Sequence, residues 1–504
     1  MDRRDFLTGV SALALSAGVA RAQTVPTATG PSARTLVAQP EAMRRLAGRL
    51  MRLEEDGLDP RWYGLNPSTH EDPAAIARAS AAALADLVQG RVGSAPGRAD
   101  LRREINPAVL NSWIQRIAES AEPADVIEQA AMATPDMAIL KPALAAARAR
   151  AAGAWAGFPV GGRTLEPGAF EDGRIAALRA RLVLTDPVLA ANPGTGGAYD
   201  ERLQAAVRRF QEAVGTEADA RIGLATQAAL NRSPQASANQ LRVAMDMRRA
   251  QPPQSSERRV DVNIPDYRLR MIEEGRTIIE MAVVVGRPAR ATPMITTRLT
   301  SVQFNPPWGV PQRNAREDLL PRLRRDPTAL QQRGFRIFGR VDGQLVEIDP
   351  TTVDWRAINP DRFPYFIRQD AGDANALGRI KFIMPNNDDI FMHDTPDRHY
   401  FRRADRAQSS GCIRLERPMD FLMVMLDGMP GWERDRVDRV LATRNTSAIS
   451  LRRQLPVRLF YSTVTVEGSE LRVRQDIYGL DEAYARAMEG RTRPQGIPMA
   501  AAQS

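Results

Sequence analysis

Two side chains of this chain have the types and spacing that acyl transfer uses. Cys412 stands in Ser409-Ser410-Gly411-Cys412-Ile413-Arg414-Leu415, and His393 stands in Ile390-Phe391-Met392-His393-Asp394-Thr395-Pro396. A thiol becomes a competent nucleophile when an imidazole takes its proton and the surroundings stabilise the thiolate. The imidazole in turn must be held in one tautomer by a third group. His393 closes an apolar, strand-like run, so its ring projects from that strand's end. Cys412 follows small residues that permit a sharp turn and close approach of a substrate backbone. Amides around Gly411 and Cys412 then suit a tetrahedral oxyanion. Taken singly, His393 fits a satisfied strand-end histidine and Cys412 an inert buried thiol. The pair at this spacing points to a site.

The context of the cysteine strengthens that reading. Arg3-Arg4-Asp5-Phe6-Leu7 is a twin-arginine start, followed by a short apolar run from Val10 to Ala20 and a small-x-small cleavage site at Ala20-Arg21-Ala22. Residues 1–22 are therefore expected to be a signal peptide and the protein to be exported to the periplasm. The run is too short and too rich in small residues to span a bilayer well, and no other stretch qualifies. Exported proteins often pair their cysteines as disulfides, yet this chain has one. The net charge of +9 is carried almost wholly by arginine, lysine standing only at Lys141 and Lys381. Such a chain favours anionic surroundings. No basic block with interleaved aromatics occurs, so nucleic acid is not expected as a partner. His70, His393 and His399 have no zinc-like spacing, and neither a metal nor another cofactor is expected.

The elements that must position the pair lie late in the chain. Residues 23–171 read as a helical scaffold, with apolar residues at helical spacing in Pro40 to Glu55, Pro73 to Gln89 and Pro107 to Ser120. Each opens with proline, which suits a first helical turn. Residues 172–232 read as a small helical unit. From about 255 to 440 the texture is strand-like: Arg259 to Ile264, Tyr267 to Ile272, Ile278 to Val285, Ile380 to Met384. A polar excursion over 308–378 interrupts this domain and reads as a lid-like insertion. Residues 441–504 read as a C-terminal tail packing on the scaffold, containing a hairpin-like pair, Val457 to Val466 and Leu471 to Ile477. The fold class is α+β, with a mostly β domain carrying the chemistry.

Two resemblances sharpen the picture. Tyr199-Asp200, then Leu203-x-x-Ala-Val-x-x-Phe210-Gln211, then Ile222-Gly223-x-x-Thr226-x-x-Ala-Leu-Asn231 resembles the three-helix peptidoglycan-binding module, except that Asp219-Ala220 replaces the usual Asp-Gly. The His393 to Ser-x-Gly-Cys412-hydrophobic spacing resembles the L,D-transpeptidase catalytic domain in its large form. Val285-Gly286-Arg287-Pro288 with Thr292-Pro293, Asn305-Pro306-Pro307-Trp308-Gly309-Val310-Pro311 and Asn375-Ala376-Leu377-Gly378-Arg379-Ile380-Lys381-Phe382 extend the match. Ser410 stands where the wider family usually has His, and Asp394 where it usually has Gly.

The resemblance implies a thioester enzyme acting on peptidoglycan tetrapeptide stems, with Cys412 as nucleophile and His393 as base and then acid. Ser410 or a backbone carbonyl would orient His393, and the Gly411 backbone would serve the oxyanion. Arg414 would meet a stem carboxylate, with Ser409 beside it; an ion pair behind the nucleophile turn is an equal reading of Arg414. Asp394 is expected to cap the turn before Pro396. The implied product is a cross-link between two third-position residues, meso-diaminopimelate in an exported protein of this kind. An L,D-carboxypeptidase, in which water resolves the thioester, and a non-catalytic wall-binding scaffold are the alternatives.

Overall fold

The computed structural model describes residues 38–490 apart from 99–100, 102–105, 154, 156 and 250–256; the expected signal peptide lies outside the described residues. Helices Pro40–Met51, Pro73–Gln89, Pro107–Glu119 and Pro123–Ala131 begin at the prolines. Asp72 and Asn106 cap two of them by accepting from the backbone N–H two residues on. Ile76, Ala79, Ala83, Leu84 and Leu87 recur at helical spacing and are buried with Leu46, Leu50, Ile117 and Ile127 in the scaffold's own core. A second layer, Met137–Ala152 against Pro234–Arg248, joins this scaffold to the rest of the chain.

Helices Asp172–Val183, Glu201–Val214 and Leu224–Leu230 enclose Ile175, Leu178, Leu203, Val207 and Ile222. Ala220 occupies the usual glycine position with φ +62. Its N–H donates to Gln211 Oε1 at 2.8 Å, and its carbonyl accepts from the Tyr199 hydroxyl. The left-handed turn is thus retained at the cost of local strain, held by two buried hydrogen bonds.

Among the described residues nine strands form the main sheet, in the order β11-β3-β12-β10-β9-β4-β13-β1-β2. They are β1 (Arg259–Asn263), β2 (Arg268–Glu273), β3 (Arg276–Gly286), β4 (Ile295–Phe304), β9 (Ile380–Ile383), β10 (Met392–His393), β11 (Ala407–Ser409), β12 (Ile413–Leu415) and β13 (Ser447–Phe460). Because β2 also pairs with β3, eight strands close into a ring, with β11 added to the end of β3. Alternate residues, among them Val262, Leu269, Val283, Val302, Phe382, Met392, Ile413 and Val457, meet in one core. Helix Pro418–Leu426 packs there through Phe421, 5.0 Å from the Phe382 ring. This topology corrects the expected domain boundary at 440. Strand β13 is an inner strand of the ring, between β4 and β1, so only the chain after it packs on the scaffold. The hairpin there is β14 (Val464–Glu467) with β15 (Glu470–Val473), shorter than expected because Val457 belongs to β13.

The insertion after Trp308 has its own architecture. Strands β5 (Trp308–Gly309), β6 (Phe335–Val341), β7 (Gln344–Ile348) and β8 (Phe366–Gln369) form a second sheet ordered β5-β8-β6-β7. Phe335, Ile337, Trp355, Phe363 and Ile367 fill its core. Its helical stretch, which includes a π turn over Ala315–Leu319, lies against the turn at Ala289 and the loop before Cys412: Arg313 donates to the Ala289 carbonyl at 3.1 Å and Asn314 to Ser410 at 3.2 Å.

Candidate active site

The register of three short strands brings the chemistry together. Strand β10 runs parallel to β12, pairing Met392 with Ile413 and His393 with Arg414. It runs antiparallel to β9, pairing His393 with Lys381. Paired residues share a face and successive residues alternate, so Met392, Ile413 and Phe382 point into the core. Lys381, Phe391, His393 and Arg414 point the other way, and Cys412, one residue before β12, falls on that same face. The Ile413 N–H donates to the Phe391 carbonyl at 3.1 Å, which locks Cys412 beside Phe391.

His393 is 4% exposed, and its Nδ1–H donates to the Asp394 carbonyl at 2.5 Å. A carbonyl only accepts, so Nδ1 carries the proton and Nε2 is left as the base. Asp394 is locked in turn. Its carboxylate accepts from the Arg379 and Thr395 amides and from Arg398 at 2.9, 2.7 and 2.6 Å. Gly378, at φ +59, leaves the space: a Cβ there would lie 2.4 Å from the Asp394 carboxylate. Asp394 therefore acts as the turn cap that the sequence suggested. Of the two orienting groups considered, the backbone carbonyl is the one at Nδ1, and Ser410 is engaged elsewhere. Its hydroxyl accepts from Arg290 at 2.9 Å and from Asn314 at 3.2 Å.

The turn from Ser409 to Cys412 is internally tied. Ser409 is buried; it donates to the Cys412 carbonyl at 2.6 Å and accepts from the Gly411 N–H at 3.1 Å. Two expectations are corrected by this pattern. Ser409 has no hydroxyl to offer a substrate, and the Gly411 N–H is committed to Ser409 rather than to an oxyanion. Gly411 has φ +122, and its carbonyl accepts from Thr292 at 2.7 Å. Thr292 accepts from the Gly286 N–H at 2.8 Å, and the Tyr478 hydroxyl donates to the Gly286 carbonyl at 2.6 Å. Arg414 forms an ion pair with Asp397 at 3.2 Å and lies over the Tyr400 ring, the ion-pair reading of this residue.

Comparison with known proteins places a family resemblance over the same stretch. Residues 257–431 match the family model of the YkuD L,D-transpeptidase catalytic domain. That stretch is similar to L,D-transpeptidase catalytic domains. A curated Haemophilus influenzae protein, provisionally named an L,D-transpeptidase, is 41% identical over 220 residues, covering 44% of this chain and 44% of its own length. The chain thus matches less than half the length of that relative. An L,D-transpeptidase structure from Xylanimonas cellulosilytica covers 60% of this chain and 100% of its own at 15% identity, with a TM-score of 0.20, too slight a likeness to bear on the fold. Among the described residues no group of His, Cys, Asp and Glu suited to a metal occurs, and no helix is long and apolar enough to cross a membrane.

Electrostatics set the resting state of the Cys412–His393 pair. Burial pushes the Cys412 thiol up to about 11, against the pull of the Phe391 amide, Lys381 and Arg414. Burial also holds the His393 imidazolium down to about 3, with the charges of Arg414 and Lys381 adding to the effect. Across neutral pH the pair is therefore neutral thiol and neutral imidazole. Iodoacetamide reacts with thiolate, so its rate at Cys412 is expected to climb continuously from about pH 6 to about pH 10. A plateau reached near neutrality would mean a preformed thiolate–imidazolium pair and would refute this picture.

Sequence reasoning missed three supports: Arg290, Thr292 and Tyr478. Arg290 is buried and pairs with Asp318 at 2.6 Å and Glu317 at 2.5 Å while holding Ser410. Thr292 had one visible signal, its place in Thr292-Pro293 just after the Gly286 strand. Tyr478 had none, since its partners are about 190 residues away in sequence.

Proposed function

We propose that the chain is an exported cysteine acyltransferase that cross-links peptidoglycan stems. The observation carrying this reading is the shared sheet face of Cys412 and His393, with the Asp394 carbonyl at Nδ1. As Sγ attacks the carbonyl between the third residue and the terminal D-alanine of a tetrapeptide stem, its proton passes to His393 Nε2. The C–N bond then breaks, Nε2 returns that proton to the leaving D-alanine amine, and a thioester remains on Cys412. An amine of a second stem attacks the thioester and gives its proton to His393. The thiolate leaves and is reprotonated, and a bond joins two third-position residues. The Cys412 amide, at the same turn as the committed Gly411 amide, serves the oxyanion. Supporting export is the twin-arginine start; supporting wall association are the basic balance and the three-helix module.

Incubating the full chain with purified disaccharide-tetrapeptide should yield a dimer lacking one D-alanine, read by mass spectrometry. Tripeptide monomer alone would replace this reading with a carboxypeptidase. A folded protein that is retained on wall sacculi and makes no product would replace it with a binding scaffold.

A further inference from the structure

Three cations lie around Cys412, and two are already spent. Arg290 is neutralised by Asp318 and Glu317, and Arg414 by Asp397. Lys381 is different. It lies beside His393 in the β9–β10 register, half-buried, with its ammonium 3.8 Å from the Phe391 ring centroid. The Phe391 ring is in turn 5.6 Å from that of His393. Among the described residues no carboxylate lies within ion-pairing distance of Lys381. Burial disfavours the charged amine, and the nearby Cys412 thiol and then Asp389 favour it, but neither forms an ion pair with it. An ammonium partly withdrawn from water, with an aromatic face and no paired carboxylate, is under-compensated. It is also one of only two lysines in a chain that otherwise uses arginine. Lysine supplies a compact point charge on a flexible stem, suited to meeting a ligand carboxylate.

We propose that Lys381 is the residue that binds a carboxylate of the donor stem and so selects the donor. The proposal rests on the acyl-transfer reading of Cys412. A tetrapeptide stem whose third residue is diaminopimelate offers two carboxylates close to the scissile bond: the terminal one of D-alanine, and the side-chain one of that third residue. Both present the same chemistry. Lys381 takes the carboxylate role that the sequence had suggested for Arg414, because Arg414 already holds Asp397.

The test compares three donors, the parent tetrapeptide, its terminal amide and its third-residue side-chain amide, with wild type, Lys381→Met and Lys381→Arg. Wild type should disfavour one amidated donor by at least about tenfold in kcat/KM, as expected for loss of a charge-assisted hydrogen bond. Which amide is disfavoured identifies the carboxylate. Lys381→Met, which keeps an unbranched stem over Phe391, should raise KM for the parent and bring the parent and the disfavoured amide within about threefold. Lys381→Arg should restore part of the discrimination. Wild type using both amides as well as the parent would overturn the proposal. So would Lys381→Met lowering kcat equally on all donors, the mark of a role toward the thiolate. A wild-type chain inactive on every donor would overturn the acyl-transfer reading itself.

Discussion

Cys412→Ala is expected to lower product formation by at least about a thousandfold, the scale on which removing a nucleophile acts when base and nucleophile work as a unit. The fold should be untouched. Sγ meets the Phe391 amide and, weakly at 3.9 Å, the Asp389 carbonyl, and the side chain lies at the edge of the core rather than within it. Cys412→Ser should not rescue. With the imidazolium held to about 3, His393 is a feeble base at rest and can take a proton only as the attacking bond forms. A thiol tolerates that demand better than an alcohol, whose anion is far less accessible. Intact-mass spectrometry after incubation with donor should find an acyl adduct on wild type and none on either variant. Turnover by Cys412→Ala at the wild-type rate would remove Cys412 from the mechanism.

The parts of the site that could be read in advance are those written locally. A single cysteine after Ser-Ser-Gly, and a histidine closing an apolar run, carry their chemistry in neighbouring residues. The proline-led helices of the scaffold are local in the same sense, since a first turn needs no distant partner. What stayed hidden depends on pairing between distant segments. Lys381 joins the site only because β9 pairs with β10 in one register; a slip of one residue would turn it to the core and Phe382 to the site. Ser409 looked available to a substrate because its neighbours are functional, but its hydroxyl closes the turn. The stretch from Ser447 to Phe460 alternates, with Leu455, Val457 and Leu459 buried, yet it carries Pro456 and a register shift, so it read as a tail. The insertion read as polar because its core residues are scattered over many positions, among them Phe335, Trp355 and Ile367, and only the second sheet collects them.

These hidden pairings also explain how the scaffold reaches the chemistry. Tyr478 stacks on Tyr461, which donates to Asp476, and the Asp476 carboxylate accepts the Leu480 and Asp481 amides at the start of helix Leu480–Glu489. That helix buries Tyr484 and Met488 against Val92 and Val243 of the scaffold. The Tyr478 hydroxyl, bonded to Gly286 and accepting from the Thr292 N–H at 3.1 Å, brings this chain of contacts to the residues that hold Gly411.

Gly286→Ala tests that linkage at its tightest point. A Cβ on Gly286 would lie 2.2 Å from the Arg290 carbonyl oxygen and 2.6 Å from the Thr292 nitrogen. Both are backbone atoms, so no side-chain rotation relieves the overlap, and the 287–292 turn must move as a unit. Its movement would break the bond from the Gly286 N–H to Thr292 and loosen the one from Thr292 to the Gly411 carbonyl. Overpacking of this kind costs about 1–3 kcal/mol, to which the unpaired buried groups add. The expected result is a lower Tm by calorimetry and a kcat reduced by at least about tenfold with KM little changed, because the displaced part is the nucleophile turn rather than the carboxylate-binding Lys381. Thr292→Val should reproduce the loss of kcat with a smaller change in Tm, since it removes the hydroxyl and keeps the turn's shape. Wild-type Tm and kcat in Gly286→Ala would show that the turn does not pack on Gly286, and that the path from Tyr478 to the nucleophile is not what holds Cys412 in place.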